Sequence, residues 1–123
     1  MHRQAGKSSD MARTAERGDI WHVALDPTLG KEQRGRRCVF VVSPAKLNKR
    51  GLIIVLPISQ GETLARSTGF TCTLMGARLQ TQGVVICDQP RTVYFQARGA
   101  QYVESCSDYI IDDVLARLAP LIT

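Results

Sequence analysis

The chain is poor in histidine, in long apolar runs and in paired cysteines, and each shortage removes a class of chemistry. Only His2 and His22 occur, so proton transfer between two histidines has little support. His2 sits in a polar opening stretch, and His22 falls beside Trp21 in a β-type run where a packed or surface role is ordinary. The longest apolar run, Gly51-Leu52-Ile53-Ile54-Val55-Leu56-Pro57-Ile58, falls far short of the roughly 20 residues that span a bilayer, so no membrane span is expected. No apolar stretch of about 7–15 residues followed by small residues marks a secretory signal, and a cytoplasmic location is the default expectation. Cys38, Cys72, Cys87 and Cys106 lie 34, 15 and 19 residues apart without a C-x-x-C pair. Neither a zinc knuckle nor a redox dithiol is suggested, no metal site is expected, and buried thiols are the ordinary reading.

What remains is enough for one hydrophobic core: 123 residues, 44% apolar and 22% charged, against the roughly 100–150 residues that a single core organises. The net charge of +5 is uneven. Residues 1–100 hold 15 Lys and Arg against 7 acids, whereas residues 101–123 hold 1 against 4. Arginine outnumbers lysine 12 to 4, and its planar fork suits bidentate contact with phosphate or carboxylate. A polyanionic partner, nucleic acid or an acidic protein segment, fits this balance as well as a merely solubilising surface does.

Residues 1–17 show scarcely any apolar periodicity and read as a disordered leader, leaving 18–123 as a single domain. From Ile20 onward, short β-branched and aromatic runs alternate with turn residues, predicting strands near 19–25, 37–43, 52–58, 69–74, 83–87 and 101–105, with a further piece near 93–96. Ile110, Ile111, Val114, Leu115, Leu118 and Leu121 recur at helical spacing behind Ser107 as N-cap. Pro44 to Lys49 predicts a second, very short helix. The fold class is therefore mainly β: a small, strongly bent sheet of the SH3-like barrel type, with a C-terminal helix and one or two short helices.

Three polar segments fall at predicted strand ends. Gly30-Lys31-Glu32-Gln33-Arg34-Gly35-Arg36-Arg37 crowds four cations and a carboxylate between two strands; Asp88-Gln89-Pro90-Arg91-Thr92 follows an apolar strand; Ser59-Gln60-Gly61 closes another. Singly, each is an ordinary loop. In order, together with Arg17-Gly18-Asp19-Ile20-Trp21, Asp26-Pro27, Val39-Phe40-Val41-Val42-Ser43-Pro44, Leu56-Pro57-Ile58-Ser59, Ala65-Arg66-x-x-Gly69-Phe70, Gly83-Val84-Val85-x-Cys87 and Ala97-Arg98-Gly99-Ala100, they resemble the MazF/PemK/Kid family of toxin endoribonucleases over residues 17 to 123.

The resemblance implies a homodimer of SH3-like barrels that cleaves single-stranded RNA at a short sequence without metal or other cofactor. It also implies inactivation by a cognate antitoxin that lays an acidic tail over the RNA groove. Cleavage by the RNA's own 2′-hydroxyl needs a base, an acid and stabilisation of phosphate charge. By position in the family, Arg37 is the phosphate-binding and charge-neutralising arginine, though its high pKa makes it an awkward acid. Ser59 stands where relatives usually carry a threonine, and holds a phosphate oxygen or orients the 2′-hydroxyl. Arg37 and Ser59 are expected to face one another across a cleft narrow enough for one phosphoryl group. Asp88 serves as base or, preferentially, as reader of a nucleobase edge. Lys31, Glu32, Gln33, Arg34, Arg36, Gln60, Gln82, Gln89 and Arg91 are the expected RNA contacts, the amides reading unpaired bases.

Three positions depart from the Kid-like pattern. Lys31 stands where histidine is frequent, Ile86 where a second arginine lies two residues before the aspartate, and Cys38 where proline follows the arginine. A Kid mechanism is therefore not transferable whole. Two rivals stay open: a non-catalytic RNA- or antitoxin-binding module of the same fold, and a CcdB-like gyrase poison.

Overall fold

The computed structural model describes residues 13–25, 36–60 and 69–123. Among these residues, seven strands form one antiparallel sheet: β1 (Asp19–Ala24), β2 (Arg36–Val41), β3 (Leu52–Ser59), β4 (Thr71–Thr73), β5 (Val84–Ile86), β6 (Arg91–Tyr94) and β7 (Gln101–Ser105). Their order is β4-β5-β3-β2-β1-β7, with β6 also paired to β3. This is the expected SH3-like architecture. Helix α1 (Ala45–Asn48) joins β2 to β3, a 3-10 turn (Phe95–Arg98) joins β6 to β7, and α2 (Asp108–Ile122) ends the chain. Among the described residues no helix is long and apolar enough to cross a membrane.

Both faces of the sheet are apolar. Ile20, Phe40, Leu56, Ile58, Cys72 and Val85 pack beneath Ile110, Val114 and Leu118 of α2. Trp21, Val23, Val39, Val41, Ile53, Val55, Val93 and Phe95 form a second cluster on the other side. The two-residue period of a strand accounts for the split, since successive side chains of β2 and β3 point in opposite directions.

β3 is the organising strand because it changes partners along its length. Leu52 to Val55 pair with β6, while Ile58 and Ser59 pair with β5. Between them lies Pro57, which has no N–H to donate, so the ladder on that edge opens at Leu56-Pro57. The chain from Cys87 to Pro90 crosses this opening on its way from β5 to β6. Gly83, which enters β5, lies so close that a Cβ there would sit 2.2 Å from the Ser59 carbonyl oxygen, and its φ of +117° suits glycine alone.

Several expectations need correction. Residues 13–17 belong to the folded unit and not to a leader. Ala15 is only 3% exposed, the Arg17 guanidinium donates to the Val42 carbonyl at 2.6 Å, and Asn48 donates to the Ala15 carbonyl at 2.8 Å. One small apolar residue and the guanidinium groups of Arg17 and of Arg13, which lies 3.8 Å over the Tyr102 ring, dock the segment, a signal that charge-rich composition hides. Residues 1–12 lie outside the described residues. Ser107 does occupy the N-cap of α2, but its carbonyl and not its hydroxyl receives the Ile110 and Ile111 amides. Cys72 and Cys87 are buried, whereas Cys38 and Cys106 are only half-buried.

Candidate active site

Arg37 is exposed near the start of β2, two positions before Val39. Val39 pairs with Pro57 and Val41 with Val55, so strand alternation sets Arg37, Pro57 and Ser59 on one face of the sheet. There Arg37 lines a groove of about 370 Å³ with Leu25, Pro57, Gln89, Pro90 and Arg91. The groove follows from the opening in β3: where the ladder lapses, the Cys87–Pro90 crossing stands apart from the end of β2. Arg91 reaches over it, donating to the Leu25 carbonyl at 3.2 Å. Arg37, Arg91 and Gln89 thus meet at a cleft otherwise lined by Leu25, Pro57 and Pro90, an arrangement able to hold a phosphate group.

Ser59 shares that face but not that exposure. It is 5% exposed, and its hydroxyl is enclosed without a hydrogen-bond partner among the described residues. The expected face-to-face cleft between Arg37 and Ser59 is therefore open on the arginine side only. An enclosed hydroxyl without a partner costs about 1–3 kcal/mol, and such a group invites a functional explanation.

The other expected residues divide by position. Gln89 lines the groove, and Asp88 is exposed in the turn before it. Gln60 is exposed beyond β3. Gln82 is exposed, with its amide donating to the Leu79 carbonyl at 3.1 Å. Lys31, Glu32, Gln33 and Arg34 lie outside the described residues. Arg36 points away from the groove, because it alternates with Arg37. Its donors meet four acceptors inside the protein: His22 Nδ1 at 3.2 Å, the His22 carbonyl at 3.3 Å, the Gly99 carbonyl at 2.9 Å and Gln101 Oε1 at 3.4 Å.

His22, on the same face as Arg36, is held below its ordinary pKa by burial and then by the adjacent guanidinium. It has no place in the groove. Burial pushes the thiols of Cys72 and Cys106 up to about 12 and that of Cys87 to about 11, which suits packing and not nucleophilic attack. Arg98 was missing from the expected contacts although Ala97-Arg98-Gly99 belongs to the recognised pattern. Its guanidinium reaches the same Leu25 carbonyl as Arg91, at 3.5 Å. Leu25 and Pro57 also line the groove, and nothing in their residue type announces it.

Comparison with known proteins bears on this arrangement. Residues 16–122 match the family described as the PemK-like, MazF-like toxin of type II toxin–antitoxin systems. The chain belongs to that family. Endoribonuclease PemK of Escherichia coli is 45% identical over 125 residues, covering all of this chain and 91% of that protein. Endoribonuclease toxin ChpB of E. coli K12 is 36% identical over 108 residues, covering 87% and 93%. Among solved structures, MazF of Deinococcus radiodurans superposes with a TM-score of 0.75 at 27% identity, over 89% of this chain and 97% of that one. A MazE–MazF structure from the same organism gives 0.73 at 26%, over 89% and 97%. The departures noted above take concrete form within this toxin family. Ile86 is half-buried in β5, and Cys38 is half-buried on the face of β2 that packs toward α2.

Proposed function

We propose that this toxin is a metal-independent, sequence-specific endoribonuclease that cleaves single-stranded RNA. The 2′-oxygen attacks the adjacent phosphorus and its proton passes to a base. The bond from phosphorus to the 5′-oxygen breaks and that oxygen takes up a proton, leaving a 2′,3′-cyclic phosphate and a 5′-hydroxyl. One observation carries the reading: an exposed Arg37 in a groove it shares with Arg91 and Gln89. Arg37 binds the scissile phosphate and offsets the charge of the pentacoordinate transition state. Asp88 and Gln89 read base edges. Ser59 acts after local opening, since its hydroxyl is enclosed in the unbound protein; the RNA supplies the partner it lacks.

The protein acts in the cytoplasm, where a cognate antitoxin lays an acidic segment along the same groove, matching its surplus of arginine. Two copies of the chain associate. Leu52 and Tyr94, which pair across β3 and β6, and Ile54 are all exposed, and this uncovered apolar strip suits a second copy. Sedimentation equilibrium of the purified toxin is expected to give twice the chain mass.

The deciding experiment incubates the protein with a long RNA in excess EDTA and sequences the new 5′ ends. Discrete 5′-hydroxyl ends support the reading. RNA retained but uncut would establish the binding module instead. Inhibited DNA supercoiling with intact RNA would establish the gyrase poison.

A further inference from the structure

Among the described residues, the start of the strand that presents Arg37 is paired on one side only. β2 pairs with β1 from Arg36 to Phe40, but β3 joins it only at Val39 to Val41. Among the described residues, Arg36 and Arg37 therefore stand on a strand end with a single paired strand beside it, the kind of place where a sheet frays. Fraying here would carry the Arg37 guanidinium with it.

The opposite face of that same end is clasped. Arg36 Nε donates to His22 Nδ1, and one terminal nitrogen donates to the carbonyls of His22 and Gly99 and to Gln101 Oε1. One side chain thus ties β2 to β1, to the turn after the 3-10 helix and to β7. We infer that Arg36 is a positioning residue for RNA cleavage, its clasp on His22, Gly99 and Gln101 fixing the end of β2 so that Arg37 points into the groove. The inference rests on the endoribonuclease reading. It assigns Arg36 a role other than phosphate contact, since its Nε and one of its two terminal nitrogens already have protein acceptors.

The clasp also has a condition. Nδ1 of His22 accepts a hydrogen bond only while the ring is neutral; protonation removes the acceptor and sets a like charge against the guanidinium. The groups facing His22 are Arg36 and Cys38 from β2 and Gln101 from β7, and none of them is a carboxylate that would favour the charged ring. Its lowered pKa agrees. Cleavage should then fall as pH drops below the titration of His22, independently of any change in the RNA.

Arg36→Met keeps the apolar stem and removes the donors. With saturating RNA, kcat is expected to fall roughly tenfold to a hundredfold, the loss that follows a displacement of about 1 Å at a reacting centre. KM should stay within about twofold, and the dependence of RNA affinity on salt should keep its slope. Amide hydrogen exchange at residues 37 and 38 should quicken in the variant without RNA. His22→Asn keeps an acceptor near Nδ1 and cannot be protonated, so it should lose the acidic limb of the kcat profile that the natural chain shows. A variant with undiminished kcat overturns the inference. So does a raised KM with a salt slope shallower by about 0.7, which marks a lost phosphate contact, and so does an acidic limb that persists in His22→Asn. If the natural chain does not cleave RNA at all, the endoribonuclease reading is what fails; unchanged exchange at residues 37 and 38 would then reject the clasp by itself.

Discussion

The two faces of the sheet are built from the same strands and do opposite work. On the α2 side, Phe40, Leu56, Ile58 and Val85 lie under Val114 and Leu118, and the covering helix carries Asp108, Asp112 and Asp113. On the other side, Val39, Val41, Ile53 and Val55 form the second cluster, which gives out at the groove of Arg37, Gln89 and Arg91. A small barrel can thus place reactive groups only where no helix covers the sheet. Residues under the helix are committed to the core, whereas the face without a helix has open space for a ligand beside Pro57.

The largest contrast is in stability. Phe40 is fully enclosed beneath α2, so Phe40→Ala should cost about 3–5 kcal/mol, read as a lower midpoint in urea. Arg37 is exposed, and its truncation should move that midpoint by less than about 0.5 kcal/mol. Equal losses from both would mean that the groove face is structural after all.

The next largest is in activity. Arg37→Ala should lower cleavage of a labelled RNA about 10²–10³-fold, the loss typical when one group aimed at developing transition-state charge is removed. Turnover like that of the natural chain would remove Arg37 from the mechanism and with it the meaning given to the groove.

Much of this contrast can be read in the residues before any fold is seen. The unbroken apolar runs Val39-Phe40-Val41-Val42 and Ile53-Ile54-Val55-Leu56 announce strands buried on both faces, and the helical stripe from Ile110 to Leu118 announces what covers one of those faces. The β6 strand begins earlier than its pattern suggests, because Arg91, Thr92 and Tyr94 are exposed and only Val93 is buried. At the site, residue type points to Arg37 and Arg36 equally. What separates them is one step of strand alternation, which turns the first toward solvent and the second onto His22 and Gly99. Ser59 is misleading for a different reason: a serine at a strand end is usually exposed, but here it is still paired with Val84 and is buried.

That enclosure sets a third, smaller expectation in which the two properties move apart. Ser59→Ala removes a buried hydroxyl without a partner, so stability should stay level or rise by up to about 1 kcal/mol. Cleavage should nonetheless fall at least about tenfold if the hydroxyl helps to place the reacting groups. A destabilised variant with normal turnover would assign Ser59 to the core alone.

The smallest effect lies in how stability depends on pH, and it belongs almost wholly to groups outside the groove. Burial and Arg36 hold His22 below the ordinary 6.5. The unfolded chain therefore takes up that proton first, and the associated stabilisation, complete above 6.5, is lost as pH falls toward the lower folded value. The hydrogen bond from the Cys72 thiol, opposed by burial and reinforced by Arg117, holds Asp113 below 3.8. Burial raises Glu104, but hydrogen bonds from the Thr81 hydroxyl and the Gln80 and Thr81 amides outweigh it and leave the group below 4.5. Both carboxylates contribute fully above those ordinary values and lose their contribution as pH falls through the folded ones. Urea midpoints should accordingly show a shallow limb starting near 6.5 and a second below about 4.5. His22→Asn should erase the first limb alone, and Glu104→Gln should shrink the second alone, by about 1 kcal/mol. A natural chain whose midpoint is flat from pH 7 to pH 5 would show that His22 takes up its proton as readily in the fold as outside it, and that the Arg36 clasp exerts no hold on the ring.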